Sequence, residues 1–232
     1  MGTIRIDTLE GDGGFDAYVA EPDGPPLAAI VVIQEIFGVN EGIRRKCDKW
    51  AGKGYLALAP DLFWRLEPGV ELDPDVPDQF SRALDLMSRF DQDRAVSDLE
   101  ATIRAARSRL GDGGKVGVVG YCLGGRLAFM VATRADANAS VGYYPVAVPA
   151  LLGEKHAIAN PLMLHIAGAD HFVDEAAQRA MHEGLDDHPR VTLHDYPGED
   201  HGFAAEMGQR RSEEAAELAD GRTVEFFAQH LL

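Results

Sequence analysis

Two hydrophobic periods alternate along this chain. Short continuous apolar runs recur at Leu27–Ile33, Gly54–Ala59, Lys115–Val119, Ser140–Tyr144, Pro161–Ile166 and Val191–Tyr196. Runs of this kind, bounded by Gly, Pro and Asp, read as strands buried on both faces. Between them lie stretches with helical spacing. Glu41–Lys53 places Ile43, Cys47 and Trp50 at i, i+4 and i+7, so Cys47 reads as a core residue. Gln92–Leu110 sets Val96, Leu99, Ile103 and Leu110 on one face, with Asp91 as its N-cap. Further helices are expected at Gln79–Phe90, from Arg126, at Val173–Gly184 and at Ser212–Leu231. Ahead of all these, Thr3–Leu9 and Phe15–Ala20 alternate and form a hairpin around Gly11-Asp12-Gly13-Gly14. Strands alternating with helices predict an α/β fold: a mostly parallel central sheet with helices on both faces. In such folds, ligands bind beyond the carboxyl ends of the strands.

Length and charge narrow the picture. The 232 residues suit a single domain spanning 1–232. Leu62–Asp78 has no periodicity and is expected as a long loop, where binding residues concentrate. The net charge of −16 opposes binding to nucleic acid or an anionic membrane surface. No apolar stretch is long enough to span a membrane, and the N-terminus has no apolar signal core, so a cytoplasmic location is expected. Two cysteines make no disulfide framework. Nothing calls for a partner chain, and a monomer is expected.

The chemistry gathers around Gly120-Tyr121-Cys122-Leu123-Gly124-Gly125. A strand precedes it and a helix follows, the context of a nucleophile elbow, here with Cys where Ser is usual. A thiol at a helix N-terminus meets a partial positive charge that favours thiolate. Asp170 and His201 follow, each just after an expected strand. Nucleophile, acid, His is the chain order of α/β-hydrolases. In that chemistry the thiol attacks a carbonyl, His moves the proton, and Asp holds the imidazole tautomer. Asp174 is a rival for the acid. His165 reads as a core residue, and His171 lacks a post-strand position. The oxyanion hole calls for the backbone N–H of Leu123, with Ile36 as its second donor by placement in the fold.

Several of these stretches resemble the dienelactone hydrolase family. They are Gln34–Asn40, Pro60-Asp61-Leu62, Gly117–Gly125, Val141–Tyr144, Gly168–Val173 and His201-Gly202-Phe203. The resemblance runs over nearly the whole chain. It implies an α/β-hydrolase fold and a Cys122–His201–Asp170 triad that hydrolyses a small ester or lactone, without metal or cofactor. It also implies that Glu35 pairs with the resting thiol and helps activate it when substrate binds. Phe37 and Tyr144 match pocket positions, and Trp64 is a weaker candidate for lining the site.

The departures concern substrate. Two arginines bind the substrate carboxylate in the family's best-known members. Their positions here hold Phe80 and Ala205, with Arg82 two positions beyond Phe80. Neither Phe nor Ala supplies a bidentate cation. A neutral ester is therefore expected to be preferred, unless Arg82 reaches the pocket. A general carboxylesterase on uncharged esters is one alternative. A redox thiol at Cys122 is another, with Cys47 as resolving partner only if the two lie close.

Overall fold

The computed structural model describes residues 2–232. Strands β1 (Gly2–Asp7), β2 (Gly14–Ala20), β3 (Ala29–Ile33), β4 (Leu56–Pro60), β5 (Val116–Tyr121), β6 (Ala139–Tyr143), β7 (Leu162–Ala167) and β8 (Val191–Tyr196) form one sheet. Its order is β1-β2-β4-β3-β5-β6-β7-β8. β1 pairs antiparallel with β2, and β2 with β4; every other pairing is parallel. The antiparallel part is the expected hairpin, closed by residues 8–13, together with its junction to β4. The parallel part is built from the continuous apolar runs. Every residue of β3, β4, β5, β6 and β7 is buried. Side chains along a strand alternate between faces, so both faces of this central region are covered.

The helices are α1 (Glu41–Gly52), α2 (Pro77–Arg89), α3 (Gln92–Leu110), α4 (Leu123–Arg134), α5 (Glu175–Leu185) and α6 (Glu213–Leu231). Three of the six begin at side-chain caps, of which Asp91 was expected. Asn40 accepts from Ile43 N, Asp91 from Asp93 N and Arg94 N, and Asp174 from Ala177 N. The buried stripe of α1 includes Ile43, Cys47 and Trp50, and Trp50 meets Phe227 of α6 at 5.5 Å between ring centroids. Cys47 is a fully buried core residue, and neither cysteine is in a disulfide. One element escaped the periodicity: a run of 3-10 turns at Val148–Ala157, opened by Pro149 within its first turn. No helix among the described residues is long and apolar enough to cross a membrane.

Candidate active site

β5 ends at Tyr121 and α4 begins at Leu123, leaving Cys122 alone at the corner. Its backbone sits at φ 58°, ψ −114°, a region that costs a non-glycine residue about 1–3 kcal/mol. The surrounding packing enforces it. A Cβ on Gly120 would stand 1.9 Å from Gly124 O, and one on Gly124 would stand 2.6 Å from both Ile33 O and Gln34 O. Only glycines let the turn fold so tightly and let it press against the end of β3. The Cys122 N–H donates to Tyr143 O at 3.1 Å, and the carbonyl accepts from Arg126 N at 3.2 Å. Leu123, the first residue of α4, has no intrahelical acceptor for its N–H. Ile36, in the turn after β3, lines the same cavity as Cys122 and Leu123.

His201 follows β8, and its Nδ1 lies 2.8 Å from Asp170 Oδ2, with both side chains almost wholly buried. Asp170 follows β7. Its other oxygen accepts Phe172 N at 2.8 Å and Val173 N at 3.2 Å, so the carboxylate is held on both sides. Asp174, the rival acid, caps α5 instead. Asp200 holds the turn, accepting the backbone N–H of His201 and of His171. His201 Nε2 is buried, and the Cys122 sulfur is the one partner beside it. Burial works against a charged imidazole here. The charge of a Cys122 thiolate and the Asp170 carboxylate outweigh it, and His201 is pushed up to about 10. Asp170, His171 and Asp200 bring ligand-type atoms within 4.8 Å of one another, but the Asp170 oxygens already serve His201 and two N–H groups.

Glu35 lies in the loop after β3 and is buried. Its Oε2 accepts from Arg210 at 3.2 Å, while Oε1 is buried without a partner. Arg210 Nε and the Tyr144 hydroxyl are buried and unpartnered too. Buried polar groups are seldom left unpaired, so the Glu35, Arg210 and Tyr144 atoms are groups with hydrogen-bonding capacity to spare. Tyr144 stands behind His201, ring centroids 5.0 Å apart, with its own φ at 36°. Lys46 of α1 braces this region from below. It is buried, its Nζ donates to Ala204 O at 2.8 Å, and it sits 4.0 Å over the Tyr121 ring.

The cavity above Cys122 measures about 370 Å³. Phe37, Phe80, Phe172 and His201 are among its walls. Two cations, Arg126 and Arg210, reach it as well. Arg82 does not: it is half-exposed and pairs with Glu67 on the surface. Trp64 is also elsewhere, bonded to Asp98 and stacked on Phe15. It borders a larger cleft of about 560 Å³ beside β2, which holds no other expected site residue. Ala205 is buried, and the loop beyond it carries Arg210 back to the cavity. The expectation of a pocket without a cation is therefore overturned. Arg126 had a signal in the sequence, being four residues beyond Cys122 and so one helical turn above it. Arg210 lies too far beyond Ala205 to be matched to the family arginine from sequence, because its loop has no period to reveal where it points.

Residues 15–231 match the model of the dienelactone hydrolase family. A protein of Azospirillum brasilense named "putative carboxymethylenebutenolidase" is 47% identical over 222 residues, which is 95% of each chain. The chain belongs to the dienelactone hydrolase family. A carboxymethylenebutenolidase of Pseudomonas putida is 40% identical, over 97% of this chain and 95% of its own. Among solved structures, one titled as a "putative dienelactone hydrolase" from Klebsiella pneumoniae superposes with a TM-score of 0.83 at 27% identity. It covers 99% of this chain and 100% of that one. The sheet and helices described above are thus an α/β-hydrolase fold, as the order of the sequence motifs implied.

Proposed function

We propose that this family member hydrolyses its substrate through a thioester on Cys122, with His201 moving the proton and Asp170 orienting His201. Hydrolysis of a small ester or lactone bond comes with family membership. The observation that carries the finer reading is the Asp170–His201 bond of 2.8 Å set beside a strained, buried Cys122. In the first step the thiolate sulfur bonds to the carbonyl carbon, and the N–H groups of Ile36 and Leu123 receive the oxyanion. The carbon–oxygen bond then breaks. The leaving oxygen takes a proton from imidazolium, leaving a thioester. Water adds next, giving its proton to His201, and collapse releases the acid and restores the thiolate. For a lactone, both products remain one molecule.

Glu35 is read as the acceptor that helps take the thiol proton. Its unpartnered Oε1 supports this, and Arg210 on Oε2 holds the carboxylate charge in a buried place. Arg210 also bears on substrate. Its side chain lines the cavity, so a carboxylate on the substrate is the group this guanidinium would pair with. A redox role is less well supported: Cys47 is sealed in the core, where burial pushes its thiol up, away from reactivity. The test is Cys122→Ala with a short p-nitrophenyl ester and a butenolide lactone. Turnover should vanish while the circular dichroism spectrum stays that of wild type. Wild-type turnover in that variant would remove Cys122 from the mechanism.

A further inference from the structure

Helix α2 carries two apolar lines. Ala83 and Leu86 are fully buried and fix the helix to the core. Phe80, Leu84 and Met87, spaced i, i+4 and i+7, form a second line along the next face, and all three border the cavity of Cys122 and His201. Leu84 is 40% exposed and Met87 36%. Phe172, also on the cavity wall, is 51% exposed, with its ring centroid 4.9 Å from that of His201. Eight large apolar side chains are exposed among the described residues, and these three share one cavity mouth. Apolar surface left open at the rim of a site marks what the site receives. At its inner end the line meets Phe37, whose ring lies 5.8 Å from that of Phe80 and which borders the same cavity as the thiol.

We propose that the α2 line seats an extended apolar arm of the ester, an alkyl chain or aryl group running outward from the reacting carbonyl. The proposal rests on the reading of Cys122 as nucleophile, since that fixes the carbonyl end. From Phe80 to Met87 the helix advances roughly 10 Å, the reach of a medium-length chain. A bare small lactone would leave Leu84 and Met87 in water. An arm laid on them loses water from both surfaces, and this gain grows with chain length.

The experiment measures kcat/KM for p-nitrophenyl acetate, butanoate, hexanoate and octanoate, and for a matched series of alkyl acetates. In one of the two series, kcat/KM should rise by about twofold to fourfold per added methylene, the full-burial value being near the top of that range. In the double variant Leu84→Ser, Met87→Ser, the ratio of longest to shortest substrate should fall at least tenfold. Leu218→Ser removes an equally exposed apolar group from α6 and should keep the ratio. Cys122→Ala run on acetate keeps the two readings apart. If acetate hydrolysis survives there, the nucleophile assignment fails. If acetate hydrolysis depends on Cys122 but both series are flat or falling, the apolar seat is wrong and the nucleophile stands. The seat is equally wrong if the double variant turns a dimer into a monomer with its chain-length ratio unchanged, because α2 would then face a second copy.

Discussion

The floor and the wall of the cavity are built on different principles. At the floor, backbone decides. Cys122 is held in a strained corner by two glycines that admit no Cβ, and by hydrogen bonds from its own peptide groups to β6 and α4. His201 and Asp170 are held just as closely and are just as dry. At the wall, side chains decide. α2 offers Phe80, Leu84 and Met87 to the opening, and the loop after Ala205 brings in Arg210. The floor has one arrangement compatible with its packing, whereas the wall can change by substitution without moving the sheet. Chemistry belongs to the first kind of construction and selectivity to the second.

The sharpest way to break that contrast is at the floor. Asp170→Asn should lower kcat by about ten-thousandfold, by analogy with loss of the orienting acid in other triads. Asp174→Asn should cost far less, and the reverse ranking would reassign the acid. Combining Asp170→Asn with His201→Ala should cost little more than His201→Ala alone, since the two act as one unit.

Gly124→Ala tests the frame rather than the chemistry. Its Cβ would press on two backbone carbonyls of the β3 end, so relief requires the oxyanion loop to move. A loss of about 1–3 kcal/mol in stability is expected, with kcat reduced about a hundredfold or more, as for a lost oxyanion donor. Full activity in this variant would show that the close approach is not what sets the site.

At the wall the effects should be selective and smaller. Arg210→Gln keeps a donor for Glu35 but removes the cation. For a matched pair of esters differing by one carboxylate, wild type should favour the anion. The variant should lose about tenfold to a hundredfold of that preference, the worth of one charge-assisted hydrogen bond. An unchanged preference would put the anion somewhere other than Arg210, with Arg126 next in line.

The smallest effect is on stability and depends on pH. His201 rises on folding from the ordinary value of about 6.5 to about 10, burial opposing the shift and the charges of Cys122 and Asp170 driving it. A group raised in this way adds stability that is complete below its unfolded pKa and is lost as pH climbs through its folded one. Asp170→Asn removes one of these charges. The gap in melting temperature between wild type and this variant should therefore be widest near pH 6.5 and close as pH nears 10. A gap that holds steady across that range would show that the Asp170 carboxylate does not keep His201 charged in the resting enzyme.

The same division explains what the sequence revealed. β3, β5 and β7 were legible because double-sided burial leaves only apolar residues in a row. The elbow was legible because its geometry excludes every residue but glycine at two places. The 3-10 run at Val148–Ala157 was hidden, since its short turns have no apolar period of their own. Arg210 was hidden because a loop's direction depends on what it packs against. Arg82 looked closer in sequence, yet its position on α2 turns it toward Glu67. Oxyanion donors are backbone groups, and any residue type supplies them.

Lys46 has a consequence for how this protein opens. One buried ammonium lies over the ring just before the nucleophile and binds the carbonyl three residues past the base. Freeing the loop would take the acceptor from that charge and freeing the strand would take the ring from beside it, and a buried charge that loses its partner costs several kcal/mol. The strand ahead of Cys122 and the loop of His201 are therefore expected to exchange their amide hydrogens together, and native-state hydrogen exchange would show it. A fluctuating chain then passes between a complete site and none, and it seldom exposes a reactive thiol without the base that controls it.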